Sequence, residues 1–292
     1  MTLFISGVVS GVAVGLLYAL LGFSVNLLYK STGVANFAVG ILATLGAFFV
    51  YWLLGFGVGL YLAVLVTLPL MALVGAVVYY TSIRPLDSAG HLNLTMRTFG
   101  VYLVIVAILQ ATWAQGQPFS FPAVFSIRTA FRVGEINVSW LTVGTVIVAA
   151  VLASAFIVFF RFTTLGFAFL ALAERPEIGR LLGLPTRRMT LIAWVMACLV
   201  ALVVGILVAP SAQLSVDMLE PYLLIAFSAA VIGGLTSLAG VFVSGIVLGI
   251  LSNVIALYSS ADLGVLAIFG ALVLSLIMRP SGLFGAPVAE RL

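Results

Sequence analysis

Side chains that could make or break bonds are almost missing from this sequence. It holds one histidine, His91, and one cysteine, Cys198, so neither an intramolecular disulfide nor a Cys/His zinc cluster can be assembled. The lone lysine, Lys30, follows Leu28 and Tyr29, not a glycine loop. No G-x-x-x-x-G-K-[ST] run occurs, which removes the usual cradle for a nucleoside triphosphate. No Ser-His-Asp or Cys-His nucleophile can be built. His91 reads as a solvated loop residue and Cys198, in mid-span, as a packing residue. What remains is binding chemistry. Asn26, Asn36, Gln110, Thr112, Ser228, Ser252 and Asn253 are polar, uncharged and set in apolar sequence. Each is costly against lipid, so each should face protein or water. They serve either as interhelical hydrogen bonds, worth about 1 kcal/mol each, or as a neutral lining for an uncharged or zwitterionic solute. Both readings stand for Asn36, with Phe37 beside it, and for Asn253.

The second chemical feature is a concentration of charge. Seven of the charged residues fall between Arg161 and Arg188, in RFTTLGFAFLALAERPEIGRLLGLPTRR. Pro176 suits a first helical position, with Glu177 near the positive helix end. Gly183 can close that helix and Pro185 prevents its continuation. Ile178, Leu181 and Leu182 share one face, with Arg180 off it. The spacing predicts a short amphipathic helix at the membrane surface, followed by a basic elbow at Arg187 and Arg188. Its own acids dilute the charge, so a docking helix for a cytoplasmic partner explains it better than a lipid anchor.

These residues must be positioned by membrane helices. Apolar residues make up 64% of the 292-residue chain and charged ones 7%, against roughly a quarter charged in a soluble domain. That excludes a soluble enzyme, a disordered chain and a nucleic-acid binder. A spanning helix needs about 20 mainly apolar residues. The long apolar runs lack the alternation of a barrel. Candidate spans cover 5–28, 34–54, 60–83, 98–115, 139–160, 190–209, 222–238, 241–258 and 263–279. The second and seventh are the weakest, so eight crossings stand beside nine. The first, lacking a positive n-region and a clear cleavage site, reads as a retained helix and not a signal peptide.

With nine crossings and the N-terminus outside, one side receives Lys30, Arg84, Arg97, Arg161, Arg175, Arg180, Arg187, Arg188, Arg279 and Arg291. The other receives Arg128 and Arg132. The richer side is cytoplasmic, and the C-terminus lies there. No charge falls in mid-span, which weighs against ion-coupled transport but leaves a passive channel open. Gly7, Gly11 and Gly15 share one face of the first span, continued by Ala19 and Gly22, and Gly245-x-x-x-Gly249 repeats the pattern. Such faces let helix backbones approach closely. Two glycine-interrupted polar breaks, Gly33–Gly40 and Gly233–Gly240, punctuate the apolar sequence. Paired breaks point to a substrate path in transporters, although a tight cytoplasmic turn explains the second better.

In order and spacing, several segments resemble the permease subunit of branched-chain amino acid ABC importers, the LivH type. They are Tyr18-Ala19-Leu20, then Gly33-Val34-Ala35-Asn36-Phe37-Ala38-Val39-Gly40 with Gly46-Ala47, and Leu181-Leu182-Gly183. They continue with Gly233-Gly234-Leu235-Thr236-Ser237-Leu238-Ala239-Gly240, Leu248-Gly249, and Arg279-Pro280-Ser281-Gly282-Leu283-Phe284-Gly285. The resemblance covers nearly the whole chain. It implies an all-α polytopic fold of eight to nine crossings, like a type II ABC importer permease, forming one transmembrane domain over 1–292 with a coupling loop at about 161–189. It implies a bacterial inner-membrane location.

The resemblance also implies partners: a second homologous permease, two cytoplasmic ATP-binding subunits that use the ATP and Mg, and a periplasmic or extracellular solute-binding protein. The chain itself then binds no cofactor and hydrolyses nothing; membrane lipid surrounds it, and nucleic acid has no part. Coupling to the ATPases falls on Glu174, Arg175, Glu177, Arg180, Leu182, Gly183, Arg187 and Arg188. The translocation path falls on Asn26, Asn36, Phe37, Gln110, Ser228 and Asn253. Val39 and Ile41 stand where the family often carries His and Glu, and Asn253 where an acid is common. Urea, short amides and organic acids therefore remain beside branched-chain amino acids as solutes, as does a stand-alone channel for a small neutral solute.

Overall fold

The computed structural model describes residues 2–84, 91–114, 117–133, 136–174 and 185–285. These residues form α1 (Thr2–Thr32), α2 (Val39–Gly55), α3 (Leu60–Val78, continued by a π turn over Tyr79–Ile83) and α4 (His91–Leu109, continued by a π turn over Gln110–Ala114). A hairpin of β1 (Thr129–Val133) and β2 (Ile136–Ser139) follows. The chain continues through α5 (Trp140–Phe162), α6 (Thr164–Glu174), α7 (Thr186–Ala212), α8 (Glu220–Gly233), α9 (Leu238–Tyr258) and α10 (Ala261–Met278).

Seven of these helices are long and apolar enough to cross a bilayer, and α2 and α8 are shorter apolar helices. The expected nine spans each find a helix among the described residues. The two weakest in sequence are the two short ones, at 17 and 14 residues. At 1.5 Å per residue they reach ~26 and ~21 Å, below the hydrocarbon thickness of the bilayer.

Three features differ from the sequence expectation. α4 begins at His91, not near residue 98, so His91 stands in a helix and not in a loop. The 161–188 stretch holds α6, which the charge pattern did not reveal because its residues are apolar all along. Phe169 and Leu172 of α6 are buried while Leu165 and Phe167 are exposed. The third is the hairpin, which pairs Phe131 with Val138 and Arg132 with Asn137 antiparallel. Alternating Phe131/Val133 and Ile136/Val138 give it strand character between two membrane helices.

The chain forms two compact units that interleave in sequence. The first comprises 1–26, 123–149 and 220–292, and the second 27–122 and 150–219. In the first, the two glycine faces meet each other. A Cβ on Gly11 would lie 2.6 Å from the Ile250 Cα, one on Gly15 2.7 Å from the Ile246 Cα, and one on Gly245 2.8 Å from the Ala19 Cα. No side chain fits, so α1 and α9 touch backbone to backbone. Tyr18, Ile225, Ala229, Leu248 and Ile268 bury one another beside this seam. The Ser244 Oγ donates across to the Ala229 carbonyl of α8 at 2.6 Å.

The second unit is centred on α7, of whose apolar window 67% is buried, against 22% for α5. Gly205 of α7 seats on the Ala43 carbonyl of α2, and Gly46 of α2 seats on Leu202. Gly75 of α3 lies against the Trp194 carbonyl and the Cys198 Sγ, 2.9 and 3.1 Å from where its Cβ would be. Cys198 is buried in that contact.

Candidate functional site

The first break lies in the second unit. Gly33, at φ 74°, follows the last residue of α1, and its N–H donates to the Tyr29 carbonyl at 2.7 Å, closing the helix in the left-handed conformation. Three residues on, the Asn36 Oδ1 accepts the Ala38 N–H at 2.7 Å. This turn, formed by the side chain and its own backbone, aims the chain into α2. A backbone N–H can face only the carbonyl oxygen of the amide, so the Asn36 orientation is fixed. Its NH2 is then buried without a hydrogen-bond partner, and the residue is 1% exposed. An unmet buried donor costs about 1–3 kcal/mol, so this position carries a cost the fold does not recover locally. Phe37 next to it is 40% exposed, and its N–H points at the Thr98 Oγ1 of α4 at 3.5 Å.

The second break lies in the first unit and is closed on itself. Gly234, at φ 92°, turns the chain after α8. The Ser237 Oγ caps α9 by accepting the Gly240 N–H at 3.0 Å. The C-terminal Arg279–Gly285 segment folds onto this turn. The Leu283 N–H donates to the Ile232 carbonyl at 2.8 Å, and a Cβ on Gly282 would stand 2.6 Å from both the Gly234 Cα and the Val231 carbonyl. Two of the segments that carried the family resemblance therefore pack against each other. Their glycines are demanded by this joint. Asn26 belongs to it: buried in α1, it donates from Nδ2 to the Ser237 carbonyl at 3.2 Å, and its Oδ1 is buried unpaired.

The other path candidates have different surroundings. The Ser228 Oγ donates back to the Leu224 carbonyl at 3.0 Å, and the Asn253 Nδ2 to the Gly249 carbonyl at 3.3 Å. Both thus bond their own helices. Gln110 is exposed at the start of the π turn that ends α4. Thr98, buried on α4 and aimed at the first break, was not singled out from sequence. Its only signal was a hydroxyl next to Arg97 in the chain, and a threonine beside a charge is common.

Of the coupling candidates, Arg175, Glu177, Arg180, Leu182 and Gly183 lie outside the described residues, as does the short helix expected there. Glu174 is the last described residue of α6. Arg187 and Arg188 are exposed in the first turn of α7, and the Arg188 N–H donates to the Pro185 carbonyl at 3.0 Å. Cations at a helix N-terminus oppose its dipole, by about 0.3–1 kcal/mol each. Their placement therefore follows from something other than helix stability. Among the described residues no group of three or more metal-ligating side chains occurs.

Comparison with known proteins places this arrangement. Residues 7–278 match the family model described as branched-chain amino acid transport system / permease component. The high-affinity branched-chain amino acid transport system permease protein LivH of Escherichia coli K12 is 26% identical over 305 positions, covering 99% of this chain and 97% of that protein. A probable LivH of Methanocaldococcus jannaschii is 28% identical over 284 positions, covering 93% and 87%. The permease BraD of Pseudomonas aeruginosa is 24% identical, covering 99% and 98%. Among solved structures, PsaBC from Streptococcus pneumoniae in complex with Fab shares the fold, with a TM-score of 0.51 at 14% identity over 96% of this chain and 93% of that one. With the match running through every apolar helix from α1 to α10, the chain belongs to the branched-chain amino acid transport system permease family.

Proposed function

We propose that this permease forms the translocation path of an ATP-binding-cassette importer for branched-chain or related amino acids, and that it is moved by subunits it does not itself contain. The observation that carries this reading is the end-to-end match to permeases of that name, 99% of this chain against 97% of the Escherichia coli protein. A match over the full length supports a shared role more strongly than a shared fragment would. The partners are a second homologous permease, two ATP-binding subunits that consume ATP and Mg, and an extracytoplasmic solute-binding protein.

The chain crosses the membrane with its N-terminus outside and its C-terminus in the cytoplasm, supported by the ten-to-two division of basic residues. In this reading Asn36 and Phe37 line the path. The unmet NH2 of Asn36 offers two donors to a carboxylate or carbonyl oxygen, which suits a zwitterion without placing charge in the membrane. The segment from Glu174 to Arg188 receives the motion of the ATP-binding subunits. That explains why Arg187 and Arg188 stay at an unfavourable helix end.

The test is purification of the complex in mild detergent with mass spectrometry of its subunits. ATP hydrolysis is then measured in nanodiscs with the solute-binding protein loaded with leucine, urea, a short amide or an aromatic carboxylate. Co-purifying ATP-binding subunits, stimulated by an amino-acid-loaded binding protein, are the expected result. Stimulation by urea or an amide alone would move the solute class. The absence of any ATP-binding subunit from an active preparation would overturn the proposal.

A further inference from the structure

The second unit carries a cavity of about 740 Å³ between α3 and α4, floored by Leu45 of α2. Its polar and apolar ends are separated. Leu73, Val77, Val104 and Ile108 line the length of it, while Thr81, Ser82 and Arg97 stand at one end. A site for a soluble ligand converges several polar groups on its occupant; this one presents a greasy trough with a cation at its mouth. The Arg97 Nη1 donates to the Ser82 carbonyl at 3.0 Å, which orients the guanidinium at that end. Among the described residues this bond leaves further donors of the guanidinium to spare. Arg84, stacked 5.3 Å from the centroid of the Tyr80 ring, adds a second positive charge two residues beyond Ser82.

The dimensions point the same way. From Leu73 to Ser82 the trough runs ~14 Å along α3, and from Met96 to Ile108 ~18 Å along α4. One leaflet of the hydrocarbon core is about 15 Å deep. A slot one leaflet deep, apolar along its length and basic at the headgroup end, matches the depth and charge pattern of an anionic phospholipid.

We infer that this groove is a binding site for an anionic phospholipid. One acyl chain lies between α3 and α4, and the headgroup phosphate meets Arg97. Basic pockets between membrane helices on the cytoplasmic side recognise anionic headgroups in this manner, and Arg97 falls on that side by the charge distribution.

The experiment uses the full chain purified in mild detergent. Phosphatidylglycerol and phosphatidylcholine with matched acyl chains are titrated in, and bound lipids are counted by native mass spectrometry. The protein should hold one phosphatidylglycerol with at least a tenfold preference. Arg97→Gln should bind both lipids alike. Gly100→Leu should hold neither, because its side chain projects into the groove where an acyl chain would lie. It should also fold: a Cβ at Gly100 meets no atom within 4 Å, and leucine is the better helix former. Undiminished phosphatidylglycerol binding by Gly100→Leu would overturn the assignment. So would an unchanged preference in Arg97→Gln. Efficient disulfide cross-linking of Val104→Cys to a second permease chain in the membrane would overturn it as well, by making the groove a protein interface.

Discussion

Gly33–Gly40 and Gly233–Gly240 are both eight residues long, both begin and end in glycine, and both interrupt apolar sequence between two helices. Their surroundings differ. At the second break, Ser237 caps α9, Asn26 bonds its backbone, and the Arg279–Gly285 segment closes over it with the Leu283 N–H on Ile232. At the first, the Asn36 amide is half satisfied, as that of Asn26 is at the second, but Phe37 after it is exposed. A membrane protein tolerates irregular backbone only where protein or a wet cavity meets its polar groups. The second break meets most of that demand from within the fold, with only the Asn26 Oδ1 left buried and unpaired. The first leaves the Asn36 NH2 as an unmet buried donor beside an exposed phenylalanine. Similar composition therefore marks a joint in one place and a candidate path in the other, and the docked Arg279–Gly285 segment and the exposed Phe37 tell them apart.

Substitutions at the two breaks should separate folding from transport. The largest effect is expected at Gly234→Val. A β-branched residue at φ 92° strains the backbone, and its side chain overlaps the Gly285 backbone. Left-handed strain and overpacking together cost about 3 kcal/mol. Membrane-inserted protein, read by fluorescence-detected gel filtration, should fall to near background. Asn36→Ala should do the reverse. It leaves the buried Ala38 N–H without its acceptor, at about 1–3 kcal/mol, but removes the unpaired Asn36 NH2, whose cost is of the same size. Protein level should stay near wild type while solute uptake falls at least tenfold, as expected for lost charge-assisted contacts of about 1.5–3 kcal/mol. Normal uptake in Asn36→Ala would erase the distinction between the breaks.

Three further substitutions, with smaller effects, sharpen the comparison. Arg187→Glu with Arg188→Glu, outside both breaks, should leave insertion intact and slightly favour the α7 terminus. It should reduce binding-protein-stimulated ATP hydrolysis several-fold, measured in nanodiscs. Gly183→Pro should uncouple in the same way. Ser228→Ala is expected to change least, because its hydroxyl bonds its own helix. Uptake within about twofold of wild type and a stability change of about 0.5 kcal/mol are predicted. A large loss there would bring Ser228 back into the path.

The helices were legible because about 20 apolar residues in a row have few other fates. The expected 60–83 span agrees with the span at Leu60–Ile83, and the two short helices were the two weakest patterns. The glycine faces of α1 and α9 could each be read locally, but nothing in their spacing said that they face each other. That pairing is a tertiary choice, as is the docking of Arg279–Gly285 on Gly233–Gly240. α6 was hidden because its apolar residues do not separate into faces in sequence. The site was less legible. Seven uncharged polar residues looked alike, and Asn26, Asn36, Ser228 and Asn253 are distinguished only by which backbone group each one finds.

In the proposed function the chain is a path driven from outside itself. The most direct test is uptake of radiolabelled leucine and related solutes into proteoliposomes. The permease is tested alone, with its partner permease, and with the ATP-binding subunits, enclosed ATP and the external binding protein. Accumulation against a gradient is expected only in the complete system, at least tenfold above either partial one. Equal flux through the purified chain alone, with no nucleotide, would contradict it.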